Sequence, residues 1–401
     1  MSQKYKNMRI GIDARFYGSI GKGLGRYTQK LIENLEKIND LRGPIPSRDS
    51  EYQYYIFLRR ENWNEYQPKH PNFHKVLADI PWYGIREQMF LPRILKKYNL
   101  DLVHFPHFNV PFFWRGKFIV TIHDLILLHF KTQRASTLAP LIYFLKQLAY
   151  KIIIGRAIKK SEIIIAVSEY TKSDILKHFN VSAEKIRVTY EAVDVPSQST
   201  QDSRQHVLAK YDIIKPYLLY VGNAYPHKNL EGLILAFREI LQRHPHLRLV
   251  LVGKEDYFFR RLKNFVLENS VPNIIFTGYV RDEYLGSIYR DALLYIFPSF
   301  YEGFGLPPLE AMSRNTPVAS SNAACLPEVL GQAAIYFDPR AQSEMTEKIE
   351  ETIKNLELRK KLIKAGEGQV RKYNWEKMAR QTRAIYENLN LRPKLWPSEN
   401  K

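Results

Sequence analysis

Twice along the chain, short runs rich in β-branched residues alternate with stretches whose apolar residues recur at helical spacing. A parallel sheet covered by helices on both faces satisfies that pattern. The first series of strand-like runs is RIGIDARF (9–16), YQYYIFL (52–58), DLVHF (101–105), KFIVTI (117–122), EIIIAV (162–167) and IRVTY (186–190). Helix-like stretches at 24–38, 86–98, 138–159 and 170–179 lie between several of them. A polar, turn-rich stretch at 195–216 interrupts the alternation and reads as a linker or surface loop. The second series is YLLYVG (217–222), LRLVLVG (247–253), NIIFTGYV (273–280), ALLYIFPS (292–299), TPVASS (316–321) and AAIYF (333–337). The 401 residues exceed what one hydrophobic core usually organises, so the two series imply two doubly wound α/β domains. Their expected bounds are 1–195 and 196–374, with a terminal segment, 375–401, that crosses back onto the first domain. Ligands of such sheets bind beyond the carboxyl ends of the strands, so two facing domains create a cleft.

Several classes drop out on composition. A single cysteine, Cys325, rules out an intramolecular disulfide framework and a Cys-rich zinc site, which fits a reducing compartment. No run approaches the roughly 18–20 apolar residues of a membrane-spanning helix, and MSQKYKNMRI lacks the apolar core of a signal peptide. The expected location is the cytoplasm. The charge is uneven: residues 1–195 hold 31 basic and 18 acidic residues (+13 of the total +19). Such a field suits a polyanionic partner (nucleic acid, an anionic membrane or a phosphorylated substrate), although solvated basic helix faces produce the same count.

Four constellations carry chemistry. GSIGKGLGRY (18–27) follows the first strand and opens a helix, where backbone amides favour an anion. Its glycines, Gly21 and Gly23 among them, do not follow the dinucleotide spacing, and strand two ends in Arg59 and Arg60 rather than an acid, which argues against a nicotinamide enzyme. His104 and His107 end one strand, and His123 and Asp124 end another; histidine titrates near neutrality, yet strand-end histidines are often structural. Asp124 adds little on this reading, because neighbours on a strand face opposite ways. GNAYPHKN (222–229) sets Lys228 just before a helix, a place that suits a phosphate or a plain capping turn. In PSFYEGFGLPPLEAM (298–312), Glu302 precedes a helix start and Glu310 lies inside the helix. Two carboxylates so placed serve either as a glycosidase pair about 5–10 Å apart or as acceptors for different hydroxyls of one polyol.

On these motifs the chain resembles the family 4 retaining glycosyltransferases of GT-B fold, near the mannosyltransferase-like bacterial members that build polysaccharides. The likeness spans the glycine-rich loop, His107, His123 with Asp124, VSEYT (167–171), GNAYPHKN, FTGYV (276–280) and the two-glutamate motif through NTPV (315–318). It implies two Rossmann-like domains facing a central cleft and a nucleotide-sugar donor, GDP-mannose or a UDP-sugar, with no further cofactor and no bound metal. It implies that Glu302 accepts hydrogen bonds from the transferred sugar, with Gly303, Phe304, Gly305 and Leu306 along sugar and phosphate. Glu310 would take the ribose, Lys228 the diphosphate, Tyr279 and Val280 the base side. Gly21 and Gly23 would close from the other domain. His123 would face sugar and acceptor, a hydrogen-bond partner in the reaction, with His107 and Asp124 on the acceptor side. Many relatives carry Arg where this chain has Asn223, which offers no charge to phosphate. Either Lys228, His227, Lys22 or Arg26 supplies it, or donor binding is weaker.

The implied partners are the nucleotide sugar and a glycan or lipid-linked acceptor. LAPLIYFLKQLAYKIIIGRAIK (138–159) and the aromatic FFWR (112–115) could also rest on an anionic membrane face; the alternative is an ordinary buried helix. Other readings of the same architecture are a sugar-nucleotide epimerase, a phosphorylase and a basic nucleic-acid-binding protein. No nucleic-acid module is recognisable.

Overall fold

The computed structural model describes residues 8–40, 52–130, 140–194 and 201–391. The stretches read above at 1–7, 138–139, 195–200 and 392–401 lie outside the described residues. The first sheet contains β1 (Met8–Asp13), β2 (Tyr52–Leu58), β3 (Phe73–Leu77), β4 (Leu102–Phe105), β5 (Phe118–Ile122), β6 (Ile164–Ala166) and β7 (Ile186–Val188). Its order is β3-β2-β1-β4-β5-β6-β7, and every pairing is parallel. The second contains β8 (Tyr217–Val221), β9 (Arg248–Val252), β10 (Ile274–Gly278), β11 (Leu294–Phe297), β12 (Val318–Ser321) and β13 (Ala334–Phe337). It runs β10-β9-β8-β11-β12-β13, also parallel throughout. Strand order reverses between β1 and β4 and between β8 and β11, the switch points at which crevices open. This is the expected pair of doubly wound domains.

Two sequence expectations need correction. The first series omitted β3, whose residues FHKVL run from buried Phe73 to exposed Leu77. It is an edge strand paired on one side, so it carries no continuous apolar run for a buried-strand criterion to catch. The stretch 195–216 is not all linker either, because Gln201–Lys210 is helical. Val207, Leu208 and Ile213 bury in the second domain's core, while Arg204 and Lys215 pair with Asp291 at 3.4 and 3.0 Å. Val207 and Leu208, with Ile213 just beyond its end, seat this helix despite its polar composition.

The helix Trp375–Leu391 leaves the second domain and lies on the helix Lys22–Asp40 of the first. Its Trp375, Met378, Ala379, Ile385 and Tyr386 join a core that includes Ile10, Ile12, Leu31 and Leu35. The Tyr386 hydroxyl lies 2.7 Å from His104 Nδ1, and His104 Nε2 lies 2.8 Å from Thr121 Oγ1. Thr121 in turn meets the Tyr27 hydroxyl at 3.2 Å. Burial pushes the fully enclosed His104 down to about 3, so the ring is neutral, with one nitrogen donating and one accepting. Among the described residues no helix is long and apolar enough to cross a membrane.

Removing the hydroxyl would leave a buried imidazole nitrogen unpartnered. Tyr386→Phe is therefore expected to destabilise the first domain by about 1–3 kcal/mol in denaturant titrations, whereas phenylalanine retains the ring's packing.

Candidate functional site

The carboxyl ends of both sheets face a cleft of about 960 Å³. On the first-domain wall, a short 3₁₀ turn (Gly18–Gly21) leads into the helix Lys22–Asp40, which sets Lys22, Gly23 and Arg26 at the opening. Gly21 itself packs beneath the turn against the Phe16 carbonyl. On the opposite wall lie Tyr279, Glu302, Gly303, Phe304, Gly305, Leu306 and Glu310. Tyr279 is largely exposed, but Val280 is buried in the second domain's core, so its side chain does not face the cleft.

The turn after β11 is where the domains touch. A Cβ on Gly303 would stand 1.8 Å from the His123 carbonyl oxygen, closer than any side chain allows. The Gly303 carbonyl accepts hydrogen bonds from Ser168 Oγ at 2.7 Å and Thr171 Oγ1 at 3.2 Å. Gly305, at φ +88°, turns the chain into the helix Leu306–Met312, which carries Glu310. Glu328 accepts from the amides of Glu169 and Tyr170 at 2.7 and 2.8 Å, and so occupies the start of the first-domain helix Glu169–His178. Tyr301 donates to Asp174 at 2.5 Å from the same side.

Several charges in the cleft are paired. Lys228, in a 3₁₀ turn (Pro226–Lys228) after β8, bonds Glu302 at 2.6 Å, with both side chains nearly buried. Arg26 reaches across from the first domain to Glu310 and meets Asp194 at 3.2 Å; Lys30 meets Asp194 at 3.1 Å. Tyr289 donates to the other Glu310 oxygen at 3.1 Å. Against the effect of burial, Lys30 and Arg26 hold Asp194 below its usual range. His227 must be removed from the set of compensating cations. It is buried, and desolvation together with the Lys228 charge pushes it down to about 4, so it is neutral near pH 7. Asn223 faces its own turn, where Oδ1 accepts from the Tyr225 amide at 3.3 Å. Lys228, Lys22 and Arg26 remain as the cations.

His123 has an acceptor at each nitrogen: Glu191 at 2.8 Å from Nδ1 and the Pro106 carbonyl at 2.9 Å from Nε2. A carbonyl and a carboxylate only accept, so this arrangement suits the doubly protonated ring. Burial opposes that charge, but Glu191, the Pro106 carbonyl and Asp124 together raise the imidazole's affinity for a proton. With both nitrogens engaged inside the protein, neither is free to hydrogen-bond a substrate in this arrangement. Asp124 also needs correction. The strand stops at Ile122, so alternation no longer applies, and His123 and Asp124 both line the cleft. Asp124 is raised by burial and by nearby Glu302. Its Oδ1 accepts from the Ile126 amide at 3.0 Å. His107 also lines the cleft, and burial keeps it neutral.

Sequence reasoning did not single out Glu191, Asp194 or Tyr301. Glu191 and Asp194 follow β7, at a strand's carboxyl end, the one signal that could have marked them.

Two outcomes follow from this geometry. His123 has a folded pKa above its unfolded value of about 6.5, so its contribution to stability is complete below that value and is lost as pH rises through the folded pKa. His123→Gln should therefore destabilise the protein more at about pH 6 than at about pH 9, measured by denaturation midpoints across that range. Gly303→Ala is expected to cost about 1–3 kcal/mol by overpacking. The matched control Gly368→Ala, in the helix Leu356–Val370 with open space around it, should be neutral or slightly stabilising in the same melts.

Comparison with known proteins gives matches along most of the chain. The Glycosyltransferase Family 4 model matches residues 22–196, and the model for Glycosyl transferases group 1 matches residues 207–369. The O-antigen chain mannosyltransferase B of Escherichia coli is 28% identical over 385 residues, 92% of this chain and 96% of the relative. The O-antigen chain mannosyltransferase RfbU of Salmonella typhimurium is 25% identical over 366 residues, 90% and 94% of the two chains. Among solved structures, sucrose-phosphate synthase from Thermosynechococcus elongatus superposes with a TM-score of 0.74 at 19% identity, covering 95% of this chain and 99% of that one. WaaG, a glycosyltransferase involved in lipopolysaccharide biosynthesis, gives 0.69 at 16%, covering 94% and 99%. These two likenesses concern the fold.

Proposed function

The chain belongs to the glycosyltransferases, with a family 4 block in its first domain and a group 1 block in its second, and on that premise we propose that it transfers a hexose with retention. The donor is a nucleotide sugar, GDP-mannose ahead of a UDP-sugar, and the acceptor a glycan or lipid-linked glycan. The names of the O-antigen mannosyltransferase relatives support mannose; they lend no support to an epimerase, a phosphorylase or a nucleic-acid-binding protein.

One observation carries the reading: Glu302 and Glu310 stand in one cleft, each beside its own cation, on either side of the Gly303–Gly305 turn. In the reaction the bond from the anomeric carbon to the diphosphate oxygen breaks, and a bond to the acceptor hydroxyl forms on the same face. The hydroxyl proton passes to the departing phosphate. Lys228, Lys22 and Arg26 stabilise the charge that develops there, so the transfer itself needs no divalent metal. Glu302 orients the sugar hydroxyls and Glu310 the ribose, which requires Arg26 to yield Glu310 and turn toward the diphosphate. Tyr279 flanks the base, and only the backbone of Val280 can join it. Asp124 and His107 face the acceptor, while His123, held by Glu191, is a fixed charged wall rather than a proton shuttle.

The acceptor side adjoins an apolar surface. Ile85, Met89 and Phe90 of the helix Ile85–Lys96, Phe112 and Phe113, and Phe144, Leu145, Leu148 and Ile152 of the helix Pro140–Lys160 are exposed. Gln88 accepts from the Phe112 amide at 2.6 Å, and Arg156 lies 5.0 Å over the Phe112 ring, so the three segments form one surface. The helix Pro140–Lys160 buries Tyr150, Ile154, Ala157 and Ile158 in the core and leaves this other side exposed, and we assign the exposed surface to an anionic membrane face that carries the lipid-linked acceptor.

Incubating the full chain with GDP-mannose or UDP-sugars and a lipid-linked glycan extract should release nucleoside diphosphate. Lys228→Met should lower that release by about 100-fold or more while the protein still melts cooperatively. Unchanged turnover would defeat the assignment. Flotation with anionic but not neutral liposomes tests the membrane face.

A further inference from the structure

Away from the cleft, Asp174 and His178 lie one turn apart on the helix Glu169–His178, and His129 ends the short helix Ile126–His129 opposite them. We infer that His129, Asp174 and His178 form a binding site for a divalent first-row transition-metal ion of the zinc class, a structural clamp rather than a reactant in sugar transfer.

Geometry comes first. One ligand atom from each residue lies within 4.8 Å of the others. His129 Nε2 is 2.8 Å from Asp174 Oδ2, and His178 Nδ1 is 3.2 Å from Asp174 Oδ1. The rings of His129 and His178 stand edge to face at 5.0 Å. His178 Nδ1 also lies 2.9 Å from the Asp174 carbonyl, a contact it would give up to an ion coordinated at about 2.0–2.2 Å, and both imidazoles are partly open to solvent for its entry. Two imidazoles with one carboxylate suit zinc, cobalt or nickel rather than magnesium or calcium, which prefer oxygen ligands.

Charge supplies the second argument. The Asp174 side chain is only 4% exposed, and among the described residues its ion-pair partners are these two histidines. A buried carboxylate needs a countercharge. A cation held between the two rings and the carboxylate would supply that countercharge. Tyr301 donates to Asp174 Oδ2 at 2.5 Å from the second domain, and its hydroxyl accepts from the Leu125 amide at 3.2 Å. That is the outer hydrogen bond that typically orients a ligating carboxylate. The ion would tie the segment after β5 to the helix Glu169–His178, on the surface against which Tyr301, the residue before Glu302, docks.

The test needs no substrate and does not depend on the transfer reaction. Untagged full-length chain, freed of metal by dialysis against a chelator, is titrated with Co²⁺ and followed by visible absorption, then displaced with Zn²⁺. One saturable equivalent per chain, weakened at least about tenfold by His129→Ala and by His178→Ala, is the expected result. Each histidine hydrogen-bonds the buried Asp174, so each variant is read against its own metal-free midpoint, and added Zn²⁺ should raise only the wild-type midpoint. Absence of a stoichiometric equivalent, or binding untouched by both substitutions, overturns the site. So does NMR titration showing a ring protonated well above the usual histidine range with added Zn²⁺ leaving it unchanged, because the counterion is then a proton.

Discussion

The contact between Gly303 and the His123 carbonyl is the constraint on which the rest depends. A loop can press its backbone onto the end of another domain's strand only where no side chain intervenes. The Ser168 and Thr171 hydroxyls complete the joint by satisfying the Gly303 carbonyl, which would otherwise be a buried acceptor without a donor. From this joint the cleft takes its width. It brings Glu302 of one domain close enough to Asp124 of the other to raise the latter's affinity for protons.

Charge pairing is the second organising effect. A carboxylate in a partly buried cleft is costly to leave bare, and Glu302 and Glu310 each have a cation at hand. Lys228 holds Glu302 within the second domain, whereas Arg26 holds Glu310 from the first. Two of the cleft's cations therefore rest on its own carboxylates. Only the second of these pairs spans the two domains.

Three histidines at neighbouring strand ends show how partners decide chemistry. His104, locked between Tyr386 and Thr121, is a neutral member of the core that anchors the crossing helix. His107 is kept neutral by burial at the rim, and His123, with an acceptor at each nitrogen, is suited to carry charge. The sequence marks all three alike, as histidines after apolar runs, because strand position says where a side chain lies along the chain and nothing about what it meets. Asp124 was undervalued for a related reason. The alternation rule holds only while the strand lasts, and it stops at Ile122.

The two series of apolar runs, the turn residues between them and the Glu302–Glu310 spacing were enough to establish two parallel α/β domains and the loops that line the cleft. Those are local properties: pleat, helical period and backbone freedom are written within a few residues. The edge strand Phe73–Leu77 and the seated helix Gln201–Lys210 escaped because their apolar content is small, and one-sided packing alone holds them. What only tertiary structure decided was pairing across hundreds of residues: Arg26 with Glu310, His104 with Tyr386, Ser168 with Gly303, His123 with Glu191. Electrostatic and hydrogen-bond energies depend on distances of a few ångströms in space, and separation along the chain carries no record of those distances.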